Sequence, residues 1–287
     1  MVDHDKRAAL AAQFQRMHHD GTLVLPNAWD AGSARALEAT GCPAIATTSA
    51  GVAWSYGVPD GQYIARTQMI EVVARIAQTV SIPVSADVEA GYGALPGDVA
   101  ETVRAIIGAG AVGINLEDAP GRDGEPLHDI AAQCARIRAA RDAARTLHTN
   151  IVINARTDVY LRAVGAPETR FARAVQRLNA YHAAGADCLF APAVDDADII
   201  AGLVHALDSP LNIMVGPGAL PIAELRRLGV ARVSLGGGLA LGALGFVQRA
   251  GHELLGRGAY EALEGSLTYA DLDALLPPAV APRRPPV

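Results

Sequence analysis

From residue 20 onward the chain alternates in a regular way. A short β-branched or apolar run ends on a small or acidic residue, and a stretch of helical period follows, often closing on glycine. That alternation predicts strand–helix units and a parallel sheet. Eight runs read as strands: Leu23 to Leu25, Ala44 to Thr47, Ile82 to Val88, Val112 to Leu116, Ile151 to Ala155, Cys188 to Phe190, Leu211 to Val215 and Arg232 to Leu235. Helical period fills 31–40, 66–80, 97–109, 130–146, 168–184, 195–207, 221–228 and 240–256. Gly41, Gly110, Gly185 and Gly229 stand where a left-handed residue can end a helix. Helices at 5–19 and 268–276 read as additions, and the Pro-rich stretch 277–287 reads as a disordered tail. Eight units without a break in composition predict an α/β fold, one closed (β/α)8 TIM-type barrel domain over 1–276. An open doubly wound sheet is the rival, and no GxGxxG follows the first strand to support its dinucleotide-binding form.

Bulk properties narrow the partners. A length of 287 residues suits one such barrel. The formal net charge is −6 and the basic residues are scattered, so no phosphate-backbone footprint exists and nucleic acid is excluded as the expected partner. Hydrophobic residues make up 51% of the chain, mostly Ala, Val, Leu and Ile, yet no apolar run is long enough to span a bilayer. The opening residues carry no apolar signal core, which gives a cytoplasmic expectation. Cys42, Cys134 and Cys188 lack CxxC spacing and read as structural.

Barrel enzymes place their chemistry at the C-terminal ends of the strands. The third strand ends in Asp87-Val88-Glu89, the fourth in Glu117-Asp118 and the fifth in Arg156-Thr157-Asp158. Asp87 and Glu89, two apart, are expected on the same side of a strand, with Glu117 on the neighbouring end. Three carboxylates without His or Cys are hard oxygen ligands suited to Mg²⁺ or Mn²⁺. Arg156 emerges from an apolar strand. Its planar fork can clamp a carboxylate of the substrate, or instead pair with Asp158 or Glu117. Ser49-Ala50-Gly51 reads as a small-residue turn with a hydroxyl and backbone N–H groups able to hold a carboxylate. Asp60, in Gly57-Val58-Pro59-Asp60-Gly61, reads locally as a turn residue. None of the eight histidines falls at a strand end apart from His128, beyond the fourth, so a His-based triad is not expected. The Gly236-Gly237-Gly238 run reads as structural.

Taken in order, Thr47-Thr48-Ser49-Ala50-Gly51, Gly57-Val58-Pro59-Asp60, Ala86 to Gly93, Leu116-Glu117-Asp118 and Asn154 to Asp158 resemble the isocitrate lyase and phosphoenolpyruvate mutase superfamily over about residues 20 to 275. The resemblance implies Mg²⁺ held through Asp87 and Glu89, partly by water, with Glu117 alongside. It implies that Ser49-Ala50-Gly51 and Arg156 grip the substrate, and that Asp60 lies near the metal and the reacting group. It also implies a barrel whose eighth helix is exchanged between subunits, hence a homodimer or homotetramer. Helix 240–256, with Leu239, Leu241, Leu244, Phe246 and Val247 at or beside its start, carries an apolar surface in keeping with that.

The chain departs from the superfamily in the residues that set the reaction. Lyases carry Lys-x-Cys-Gly-His in a mobile loop after the fourth strand and a Glu after the sixth. Mutases carry Lys-Thr-Asn and a His at those places. Here the loop reads Glu117 to Glu125 without Cys or Lys, and Pro192 follows the sixth strand. Asp123, His128 and Tyr92 are the candidate proton donors. The expected function is Mg-dependent cleavage of a C–C bond in a small 2-oxo or 2-hydroxy (di)carboxylic acid through an enolate. A C–P mutase or hydrolase of a phosphonopyruvate-like substrate, and an oxo-acid binder with lapsed catalysis, are the alternatives.

Overall fold

A computed structural model describes residues 4–121 and 126–276. The expected tail 277–287 lies outside the described residues, as do four positions of the loop after the fourth strand, Asp123 among them. The chain divides into two compact units, Met1–Gly242 and Ala243–Val287.

The first unit is the barrel. Its parallel strands are β1 (Leu23–Leu25), β2 (Asn27–Ala28), β3 (Ile45–Thr47), β4 (Val84–Asp87), β5 (Gly113–Glu117), β6 (Val152–Arg156), β7 (Cys188–Phe190), β8 (Leu211–Met214) and β9 (Arg232–Ser234). Their order, β1-β9-β8-β7-β6-β5-β4-β3-β2, comes back to its start because β1 and β2 are two halves of one barrel strand. Pro26 separates the halves. It has no N–H to donate, but its carbonyl accepts from the Ala46 N–H at 2.9 Å. Leu25 therefore pairs with Ser234 on one side while Asn27 pairs with Ala46 on the other.

The helices are α1 (His4–Met17), α2 (Ala31–Ala39), α3 (Ser49–Ser55), α4 (Arg66–Thr79), α5 (Pro96–Ala109), α6 (Ile130–Thr146), α7 (Pro167–Ala183), α8 (Ala197–Ala206), α9 (Ile222–Arg227) and the start of α10 (Gly238–Arg257). Acidic N-caps start several of them. Asp30 accepts from the Ser33 N–H, Asp129 from Ala132 and Asp196 from Ile199. Gly110, at φ 105°, ends α5 in the left-handed form expected of it.

Helix α1 packs beneath the barrel. Phe14 is fully buried among Leu23, Leu25, Val112, Val152 and Cys188. Its ring approaches β5 so closely that a Cβ on Gly113 would stand 2.6 Å from it, which is why glycine is needed there. The second unit holds the rest of α10, a 3-10 turn at Glu261–Leu263 and α11 (Tyr269–Leu275). No helix of the described residues is long and apolar enough to cross a membrane.

Two local expectations are corrected. Ser49-Ala50-Gly51 is not a free turn but the first turn of α3, capped by Thr48 through the Gly51 N–H at 3.3 Å. A Cβ on Gly51 would lie 2.8 Å from Thr48 and 2.9 Å from Trp29, so only glycine lets α3 pack there. Strand β4 ends at Asp87, so Glu89 is not on the strand. Glu89 takes a left-handed backbone at φ 49°, and Gly91 and Tyr92 follow with φ 87° and 57°. The turn from strand to loop, and not strand alternation, aims the Glu89 side chain. The barrel axis is polar. Asn27, Ser85, Asn115, Asn154 and Asn212 line it where branched aliphatic residues usually fill a barrel.

Candidate active site

The acids and the arginine meet at the C-terminal mouth, on β3–β6 and the segments that follow. Asp87 ends β4 with its carboxylate already oriented. One oxygen accepts from the Ser49 N–H at 3.0 Å and the other from the Asn115 amide at 3.0 Å. Asn115 is in turn held by Asn154 at 3.0 Å, so a chain of amides runs from the barrel axis to this carboxylate. Glu89 is buried. One of its oxygens accepts from the Gln62 N–H at 3.1 Å, and the other is buried without a hydrogen-bond partner. Burial, then Asp87 and Asp60, push its carboxyl up to about 7. Asp60 sits on an exposed loop with its carboxyl 3.5 Å from the Ser49 hydroxyl. Shielding of that carboxyl and the charge of Asp87 raise it above the usual carboxylate range.

Glu117 ends β5, and its backbone N–H ties to the Glu89 carbonyl at 3.0 Å. Its carboxylate turns to Arg156, 3.0 Å from Nη1. Burial pushes Glu117 up while Arg156 pulls it down, and the neighbouring Asp158, Asp87 and Glu89 leave it raised overall. Arg156 is shared. Its Nε donates to Asp158 at 2.5 Å, its Nη2 to the second Asp158 oxygen at 3.0 Å, and it lies over the Phe190 ring at 5.8 Å. Of the two roles expected for Arg156, the structure shows the ion pair with Asp158 and Glu117. A guanidinium has five N–H groups. Three are committed to Asp158 and Glu117, and one on each Nη makes no hydrogen bond with the described residues.

Two supporting groups were not legible in the sequence. Asp118 is fully buried and accepts from the Thr157 hydroxyl at 2.7 Å, the Asp158 N–H at 2.9 Å, the Tyr181 hydroxyl at 2.7 Å and Arg177 at 3.1 Å. It fixes the segment that carries Asp158, which fixes Arg156. Arg136 of α6, also buried, donates to the carbonyls of Ala90, Gly93 and Ala94 and so holds the loop carrying Glu89. The adjacency of Asp118 to Glu117 was the only local hint, and Arg136 offered none because it lies inside a helical run.

Among the described residues no three His, Cys, Asp or Glu side chains converge as a ready ligand set. A divalent cation nonetheless fits beside Asp87 and Glu89. The donors are all oxygen, one Glu89 oxygen is buried and unpartnered, and the crowding of three carboxyls is what a cation would relieve. Glu117 is committed to Arg156, so direct three-carboxylate ligation is not preformed. The Tyr92 phenol is held protonated by burial and by Glu89 and Asp87. His128 is lowered by burial and then by Arg136. The Gly236–Gly238 run makes room for a neighbour, since a Cβ on Gly237 would stand 2.9 Å from the Trp54 ring.

The sequence matches the phosphoenolpyruvate phosphomutase family model over residues 14–255. The chain belongs to that family. It is 30% identical to the 2-methylisocitrate lyase of Escherichia coli K12, over 75% of this chain and 73% of the other. A solved structure from Burkholderia cenocepacia J2315, described as a candidate lyase/mutase, superposes with a TM-score of 0.88 at 42% identity, covering 94% of this chain and 96% of that one. Oxaloacetate acetylhydrolase, solved in complex with its product oxalate, superposes at 0.82 with 27% identity, over 92% and 93% of the two chains. The relatives and structural neighbours of this family member are lyases and mutases of the isocitrate lyase/PEP mutase superfamily.

Proposed function

We propose that this chain is a cytoplasmic, Mg²⁺- or Mn²⁺-dependent lyase that cleaves a C–C bond in a small 2-oxo or 2-hydroxy (di)carboxylic acid. The observation that carries the reading is the Arg156 guanidinium set among Glu117, Asp158 and Asp87, with one N–H on each Nη not engaged by these acids. Oxalate as the product held by oxaloacetate acetylhydrolase supports a ligand of that size and charge.

Asp87 and Glu89 would hold the cation, with Glu117 alongside. When bound, the cation supplies Lewis acidity to the substrate's carboxylate and its neighbouring oxygen. Ser49, Ala50 and Gly51, at the start of α3, present small side chains and one hydroxyl to the substrate carboxylate. Arg156 stabilises the negative charge that develops on the oxygen next to the broken bond, in a site where water is scarce. Asp60, its carboxyl raised toward protonation, is the proposed acid–base group beside them. A C–P mutase or hydrolase reaction is the second reading, favoured by the family model. Release of an oxo acid without phosphate from a panel of substrates supports C–C cleavage. Phosphate release from a phosphonate substrate supports the second reading, and oxalate binding without turnover of any substrate points to a lapsed enzyme.

Calorimetry with Mg²⁺ or Mn²⁺ plus oxalate checks the metal site. Asp87→Ala is expected to weaken the pair at least about tenfold, or about 1.4 kcal/mol. Binding as tight as in the parent protein rejects Asp87 as a ligand.

We also propose a homodimer or homotetramer. Leu241, Leu244 and Val247 of α10 are exposed, as are Leu254, Leu255, Leu263, Leu267 and Tyr269 further on. So much apolar surface in one stretch of chain calls for a protein partner, and exchange of the helix between subunits would provide it. Sedimentation at micromolar concentration is expected to show a dimer or tetramer, and a clean monomer rejects the exchange.

A further inference from the structure

Arg232 opens β9 at the floor of the barrel, paired in register with Leu23 and Asn212. It is only 2% exposed. Its Nε and Nη1 are buried and find no acceptor, and it forms no ion pair among the described residues. Arg232 lines a narrow axial cavity, roomy enough for a few water-sized groups, that also carries Ser85, Asn154, Asn212 and Ser234 and reaches up to Asp87 and Arg156. The Ser85 hydroxyl has no hydrogen-bond partner either.

A buried arginine stays charged, and a buried charge without a counter-charge is strongly unfavourable. Its neighbours do not supply one. Burial pushes the Cys188 thiol up to about 12, so it stays neutral, and burial together with the charge of Arg232 lowers His18 to about 3, so it too is neutral. Of the carboxylates above, Glu117 and Asp158 pair with Arg156; the charge of Asp87 acts on Arg232 only through space, because its oxygens are bound by Ser49 and Asn115 and it forms no ion pair with Arg232.

We propose that this axial chamber binds a small monovalent anion, chloride or a carboxylate of formate size, against the Arg232 guanidinium with the Ser85 hydroxyl beside it. The anion reaches the floor through the mouth of the barrel and neutralises Arg232 independently of any substrate. The site is distinct in role from the acidic cluster above it, because it attracts negative charge where that cluster attracts a cation.

Thermal unfolding of the full chain at constant sodium and ionic strength tests this, with gluconate exchanged stepwise for chloride or formate. The parent protein is expected to gain about 2–4 °C, saturating with concentration, as a site filled to about ten times its Kd would give. Arg232→Met is expected to lose that response. A crystal soaked in bromide is expected to show an anomalous peak beside Arg232, a readout that does not depend on the variant folding. An equal response in Arg232→Met, a flat response in the parent, or bromide confined to the surface would overturn the proposal. So would stabilisation by dicarboxylates alone, which would assign the chamber to the second carboxylate of a substrate.

Discussion

Replacing Asp118 by alanine is expected to destabilise the chain by about 3–5 kcal/mol, the range for breaking a buried ion pair from one side. The residue is completely enclosed, and four donors converge on it from two segments: Thr157 and the Asp158 N–H after β6, and Arg177 and Tyr181 on α7. Removing the carboxylate leaves the Arg177 charge and the Tyr181 hydroxyl facing apolar surroundings. The effect should reach the site as well. The Asp158 backbone loses its anchor, Asp158 holds Arg156 by two bonds, and oxalate affinity should fall with stability. Denaturant unfolding measures the first effect and calorimetry the second. A loss below about 1 kcal/mol would show that water replaces the carboxylate without cost and that the network is not a structural hub.

Arg156→Lys is expected to weaken oxalate or oxo-acid binding, measured with Mg²⁺ present, by about 1.5–3 kcal/mol, the range for a charge-assisted hydrogen bond. Lysine keeps the charge but has a single nitrogen on a flexible stem. It cannot hold both oxygens of Asp158 and the Glu117 carboxylate while also meeting a ligand. Because the fork is already shared with two acids, some stability should be lost too, so unfolding is measured on the same samples. Unchanged affinity in a folded variant would reduce Arg156 to an ion-pair partner within the ring of strand ends.

The alternation of apolar runs with helical periods determined the barrel, because each element's period is written locally. Eight predicted strands coincide with observed ones to within about two residues at most ends, and Asp87, Glu117 and Arg156 stand at the strand ends where they were expected. The same pattern marked Asp87, Glu117 and Arg156, since a charged residue at the close of an apolar strand is a local signal. What the sequence could not show depends on neighbours distant in the chain. Pro26 splits the first strand because its two faces pair with β9 and β3, a matter of register around the ring. The Glu89 carboxylate is aimed by a left-handed turn and by the Gln62 N–H, 27 residues away. Asp118 and Asp158 stood in the strand-end motifs without a role of their own, and only the packing of α7 against β6, which brings Arg177 and Tyr181 to Asp118, turns them into a buried network. The polar axis was half visible, in Asn115, Asn154 and Asn212 lying within apolar strands. Which way those side chains point is set by pairing register, and a one-residue slip would have sent each of them outward. Local periodicity determined the elements and their order. Tertiary pairing decided where the charges meet, because electrostatic partners are chosen by distance in space and not along the chain.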